Sequence, residues 1–152
     1  MTLSRAAVRP ALVGLALTGL LGGCGDNGDG GAAAADPSFR VERHTWGGMC
    51  VSGPCRSTWL VEPDGGWTLR TEADNDSGRL SGDELDALYR AVESTELDSA
   101  PPTTSCEADA DGTSVRYVWT VRGETSTASS CEVELDAADP LVETVEELLP
   151  KE

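Results

Sequence analysis

The chain has 152 residues, with 27 Asp and Glu against 11 Lys and Arg, a formal charge of −16 at pH 7 and a hydrophobic share of 39%. A surface so acidic repels phosphate backbones and anionic head groups, which argues against nucleic acid and against polybasic membrane docking. Ten of the eleven cations are Arg and only Lys151 is Lys. With abundant Ala, Gly and Asp, that bias fits high-GC codon usage, and a halophilic origin would produce the same acidity.

The first element is a secretory signal. Arg5 and Arg9 form a basic n-region, Ala11 to Leu21 is an apolar run too short for a span of about 20 residues, and Leu21-Gly22-Gly23-Cys24 closes it. This ending resembles the lipobox of bacterial lipoproteins, with small residues before a Cys. The resemblance implies removal of residues 1–23 as a lipoprotein signal peptide. It also implies a diacylglyceryl group on Cys24 and a cell-membrane location on the extracytoplasmic face, with the anchor as the membrane partner. Removal takes two arginines and leaves nine basic and 27 acidic side chains, a charge of −18. Residues 24–38 then comprise the lipidated Cys and a tether, Gly25 to Ser38, built from Gly, Ala and Asp without hydrophobic periodicity. Such a tether reaches about 50 Å stretched and about 20 Å on average.

Residues 39–152, about 114 residues, suffice for one domain with one core. Phe39-Arg-Val-Glu-Arg alternates and opens a strand. Residues 46–55, Trp-Gly-Gly-Met-Cys-Val-Ser-Gly-Pro-Cys, read as a turn-rich connection. Arg56 to Glu62 and Trp67 to Glu72 form a hairpin around Pro63-Asp64-Gly65-Gly66. Ser81-Gly82-Asp83-Glu84 is a capping box. Leu85, Leu88, Tyr89 and Val92 follow it on one helical face, and Pro101-Pro102 bars any continuation. Val115, Tyr117, Trp119 and Val121 alternate with polar residues as a half-buried strand. A turn near Gly123 leads to a second strand over Thr125–Cys131. Asp139-Pro140 starts a last helix, with Leu141, Val142, Val145, Leu148 and Leu149 as its apolar stripe. The order predicts an α+β domain: a small antiparallel sheet of about five strands in hairpins, with two helices packed on one face.

Beyond Cys24 the cysteines number four, Cys50, Cys55, Cys106 and Cys131. An even set in an exported chain points to two disulfides, and the local pairs Cys50–Cys55 and Cys106–Cys131 are favoured among three connectivities. The chain-entropy model assigns them about 2 and 3.5 kcal/mol. A four-thiolate metal site fits poorly, because Cys106 and Cys131 lack a close second ligand.

Candidates for chemistry are few. His44 is the only histidine. Its parity is opposite to Phe39 and Val41, so it is expected to face solvent rather than to serve a Ser-His-Asp or Cys-His arrangement. No phosphate loop, nucleophile elbow or His-Glu-x-x-His motif occurs. Glu107-x-Asp109-x-Asp111-Gly112 opens like a calcium loop, but Val118 holds the position where a bidentate Glu is required. Glu72-x-Asp74-x-Asp76 has Ser77 where the loop needs Gly. Solvated turns are the simpler reading, and no cofactor, metal or catalytic residue is assigned. Four tryptophans are a heavy load. Core filling is the simpler account, with Trp46 and Trp59 as candidate exposed anchors for a partner. Trp46, Gly47, Gly48, Met49 and Trp59 are therefore the candidate partner-binding residues.

With these elements placed, residues 39–149 resemble a loose family of small bacterial domains. The shared features are a Gly-Gly turn (Gly47-Gly48), a hairpin (Trp59 to Leu69) and a helix opening Leu80-Ser81-Gly82-Asp83-Glu84-Leu85. A Tyr-bearing strand (Tyr117-Val118-Trp119) and a Leu-rich last helix (Leu141 to Leu149) complete the set. Among characterised families, residues 39–149 loosely resemble emfourin-like inhibitors of thermolysin-type metalloproteases. This chain has Met49-Cys50-Val51 where that family follows the Gly-Gly turn with an aromatic and a short apolar loop. The expectation is a cell-surface, lipid-anchored, non-catalytic domain that binds a protein or small ligand. Protease inhibition through the loop 47–55 is one alternative, and hydrolysis by paired carboxylates is another.

Overall fold

The alternation that begins at Phe39 does not stop at the Gly-Gly pair. The first strand, β1 (Arg40–Cys50), runs through it, and β2 (Gly53–Val61) returns beside it as an antiparallel hairpin. The structure, a computed structural model, describes residues 36–50 and 53–150, without the side chains of Cys50 and Pro54. The expected turn-rich connection over residues 46–55 is thus largely strand. Gly47 and Gly48 take positive φ of 92° and 70°, and the register shifts between Gly47 and Cys50. Glycine tolerates this bulged geometry, which re-aims the hairpin without ending it.

The Pro63–Gly66 turn leads to β3 (Gly66–Thr71), and Glu62 N–H donates to the Gly66 carbonyl at 2.8 Å. A strand that had no sequence signal follows, β4 (Asn75–Arg79), whose residues are all exposed. It makes six strands where about five were expected. Asn-Asp-Ser-Gly-Arg has no apolar alternation to announce it. It pairs as an edge because β3 offers a free ladder and because the Trp67 ring lies over Gly78; a Cβ there would meet Cζ2 at 2.5 Å.

The capping box forms as predicted. Glu84 N–H donates to Ser81 Oγ at 3.3 Å and Ser81 N–H to Glu84 Oε2 at 2.7 Å, opening α1 (Gly82–Ser94). Two three-residue-per-turn segments follow, over Leu97–Ser99 and Glu107–Ala110. β5 (Thr113–Val121) and β6 (Glu124–Ser129) form a hairpin whose two-residue loop, Arg122-Gly123, has positive φ at both positions. That is the primed turn whose twist matches flanking strands. Asp139 caps α2 (Pro140–Leu148) by accepting from Leu141 N–H at 2.8 Å.

The strand order is β4-β3-β2-β1-β5-β6, antiparallel throughout, so the α+β class holds. One cluster joins Phe39, Val41, Trp59, Val61, Tyr117, Trp119 and Ala128 of the sheet to Leu88 and Val92 of α1 and to Leu141, Val142 and Val145 of α2. Cys106 and Cys131 form the expected disulfide, with Cα atoms 4.3 Å apart. Cys55 is also disulfide-bonded; its expected partner Cys50 has its side chain outside the described residues. Cys24 and the rest of residues 1–35 lie outside them too.

Among the described residues, contacts of the folded unit are already made by Asp36, three residues before Phe39. Asp36 accepts from Ser38 Oγ at 2.6 Å and from the amide of Arg122, and its carbonyl accepts from Tyr89 Oη at 3.3 Å. Phe39 stacks on Tyr89 with centroids 3.7 Å apart. The chain therefore enters at the β5–β6 turn, the end of β1 farthest from Gly47. No helix among the described residues is long and apolar enough to cross a membrane.

Candidate functional site

Strand parity separates two kinds of residue on β1, β2 and β5. Val41, Trp59, Val61, Tyr117 and Trp119 are buried, whereas Glu42, His44, Trp46, Thr58, Leu60 and Val118 are half-buried on the other face. Register sets His44 between Arg116 and Thr58, and Trp46 beside Arg56.

His44 is held on both ring nitrogens. Nε2 lies 2.9 Å from Glu42 Oε2 and Nδ1 lies 3.2 Å from Thr58 Oγ1. Arg116 stands over the Trp46 ring, its Cζ 5.5 Å from the centroid, a cation–π contact at the edge of its useful range. Together His44, Trp46, Arg116 and Val118 line a shallow depression of about 230 Å³.

Thr58, His44 and Glu42 are linked in the order nucleophile, base and orienter. Their chemistry is limited by the strands that carry them. β1 and β2 are interior strands paired on both sides, so their amides serve the ladders rather than converging on a developing oxyanion. The arrangement fixes the imidazole in a shallow, open depression.

The structure brings only part of the expected anchor set together. Trp46, Gly47, Gly48 and Met49 are consecutive on the β1 end of the hairpin. Met49, 86% exposed, is the one large hydrophobic that stands out among the described residues. Gly47 presses on the segment before β5; a Cβ there would meet that of Ala108 at 2.7 Å. Trp59 does not belong to the group. It is 1% exposed and seals the core, with its Nε1 lacking a hydrogen-bond partner. Its odd parity on β2 turns it inward and leaves its neighbour Leu60 on the opposite face. Arg116, Thr58 and Glu42 are the contributors that sequence reasoning missed, because cross-strand register is what places them beside His44.

A larger cleft of about 460 Å³ lies between the end of α1 and the start of α2, with Glu96, Glu134, Asp136 and Asp139 in its wall. Asp139 is structural. Besides capping α2, it accepts from Thr95 Oγ1 at 2.8 Å and from Glu96 N–H at 3.0 Å, which ties the two helix ends together. Of the acidic calcium-like segments, residues 107–110 form a turn closed by Asp111 in a left-handed conformation, and Glu72–Asp74 turn between β3 and β4, where Asp74 N–H donates to Thr71 Oγ1, while Asp76 lies on β4. Among the described residues no group of three His, Cys, Asp or Glu is placed to hold a metal ion.

Burial, and then the hydrogen bond from Tyr117 Oη to Glu146 at 2.8 Å, push the Tyr117 phenol well above its ordinary range. Asp36 is held low by the Ser38 hydroxyl and the Arg122 amide. Asp64 is lowered by the Gly66 amide and Arg79, and Glu84 by the Ser81 amide. All of these are structural contacts away from the Trp46 depression. No protein-family profile matches the chain, and no curated protein matches its sequence.

Proposed function

We propose that the chain is a lipid-anchored, extracytoplasmic, non-catalytic domain that binds a protein partner through the Trp46–Met49 hairpin end and the adjoining sheet face. In this reading both helices cover the Val41, Trp59 and Tyr117 face, and the His44 and Trp46 face stays open for the partner. Met49 carries the proposal. A thioether at 86% exposure, next to a half-buried Trp and a bulged Gly-Gly pair, is the kind of adaptable apolar contact that binding surfaces use. The direction of the chain adds support: the tether enters at the Arg40 end of β1, and the hairpin end lies at least seven residues further along the strand, about 20 Å away. An anchor at Cys24 would then present the hairpin away from the membrane.

Two experiments test the parts separately. Detergent phase partition should retain the wild type in the detergent phase and release Cys24→Ser. A photo-reactive residue at Met49 should give a discrete adduct on intact cells, whereas one at Asp86 on exposed α1 should not. A wild type that remains aqueous would contradict the anchor, and equal adducts from both positions would contradict the binding site.

The hairpin also keeps inhibition of a thermolysin-type protease open as a second reading. The specific observation is that Cys55, paired with Gly47 of β1, is disulfide-bonded, which lowers the ordering cost of docking this end of the hairpin into a cleft. Stoichiometric addition should abolish peptidase activity; full activity would end this reading.

A further inference from the structure

The arginines of this acidic domain are unevenly placed. Cross-strand register sets Arg116, His44, Thr58 and Arg70 in one row over β5, β1, β2 and β3, with the pair Trp46 and Arg56 beside it, all on the face opposite the core. Arg116 and Arg70 are three strands apart, about 14 Å, with Arg56 on a strand between them. Arg56, Thr58 and Arg70 share a second depression of about 140 Å³ with Glu72, next to the one formed by His44, Trp46 and Arg116. The helices carry the opposite sign: Asp83, Glu84, Asp86 and Glu93 on α1, and Glu143, Glu146 and Glu147 on α2.

We propose that this face takes an acidic segment of a partner protein, an extended stretch whose Asp or Glu side chains meet Arg116, Arg56 and Arg70 while an apolar side chain lies against Trp46. The inference rests on the binding role given above to this face and names its partner's chemistry. Guanidinium groups bind carboxylates through paired, charge-assisted hydrogen bonds. Besides its place over the Trp46 ring, Arg116 makes a loose ion pair, 3.9 Å to Glu132, between groups 45% and 61% exposed, so an incoming carboxylate displaces little from it. Length decides against other polyanions. A short segment meets only Glu42, Glu72 and Glu132, which lie within the row itself, whereas a nucleic acid or an anionic bilayer would reach beyond the row to the rest of a chain with 27 acids against 11 cations.

The test is a titration of the whole lipid-free domain with a short fluorescein-labelled peptide of Asp, Gly and Leu, and with its counterpart carrying Asn for Asp. The acidic peptide should bind at least about tenfold more tightly than the amide peptide. The variant Arg56→Gln/Arg116→Gln should lose at least about tenfold. Arg90→Gln, on exposed α1, should bind as wild type, and circular dichroism should show all variants folded. Equal binding of the two peptides, or an equal loss in Arg90→Gln, would overturn the inference. So would anionic vesicles or single-stranded DNA binding as tightly as the acidic peptide. A discrete Met49 adduct on cells with no charge preference in the titration would overturn the acidic partner alone and leave the binding role standing.

Discussion

Trp59 and Trp46 lie on neighbouring strands of one hairpin and meet opposite surroundings. Trp59 is paired in register with Arg43 and Leu69 and is sealed in the core at 1% exposure. Trp46 is paired with Arg56 and lies half-buried under Arg116. The residue type is the same, so the difference comes from parity and register alone. A sheet with one apolar face and one mixed face puts a single side-chain chemistry either in the core or in a half-buried surface contact.

The largest break in that comparison is truncation of each ring. Trp59→Ala should cost about 3–5 kcal/mol in denaturant unfolding, the range for emptying a large aromatic site. Trp46→Ala should cost no more than about 1 kcal/mol, the scale of an exposed cation–π pair. Equal losses would mean that both faces are core.

Two changes near the ends of the elements come next. Asp139→Ala should destabilise by about 1–3 kcal/mol, because it removes a helix cap and leaves the Thr95 hydroxyl and Glu96 amide unpaired. Thermal unfolding checks it, and Asp139→Asn should recover part of the loss. Gly47→Ala combines left-handed strain with a clash on Ala108. It should cost more than Gly123→Ala, where φ is also positive but the space is open, and about 1–2 kcal/mol is the strain common to both.

Stability should fall at both ends of the pH scale for separate reasons. Asp36, Asp64 and Glu84 are held below the ordinary carboxylate range. Their contribution is present above the unfolded values near pH 4 and is lost as pH drops through the folded ones. Tyr117 is raised, so its contribution is complete below about pH 10 and is lost as pH rises beyond it. In Tyr117→Phe the alkaline loss should shrink while the acid limb stays. The smallest effect belongs to the hairpin end: Met49→Ser should change stability by less than about 0.5 kcal/mol while weakening partner capture.

The helices and the β5–β6 hairpin were legible because their signals are local. A capping box, an Asp-Pro start and clean alternation each need only a few adjacent residues. β4 was illegible because an edge strand exposed along its whole length carries no apolar pattern, and its cause, Trp67 over Gly78, lies on another strand. Asp139 was readable as a cap, but its bonds to Thr95 and Glu96 cross more than forty residues of chain. The site was legible in part: Trp46 through Met49 stand together, while Trp59 could be assigned a face only once the register was known. Arg116, His44 and Thr58 come from three separate stretches, and only the pairing of β5 and β2 with β1 makes them neighbours.

Binding at the Trp46 face requires the aromatic under Arg116 to be reachable while its counterpart on β2 is sealed. Fluorine NMR of protein labelled with fluorotryptophan, with a soluble nitroxide added, reads this directly. The Trp46 resonance, assigned with Trp46→Phe, should broaden strongly, and those of Trp59 and Trp119 should stay sharp. A Trp46 signal as protected as that of Trp59 would mean that the proposed binding face is covered, and would contradict a binding role for it.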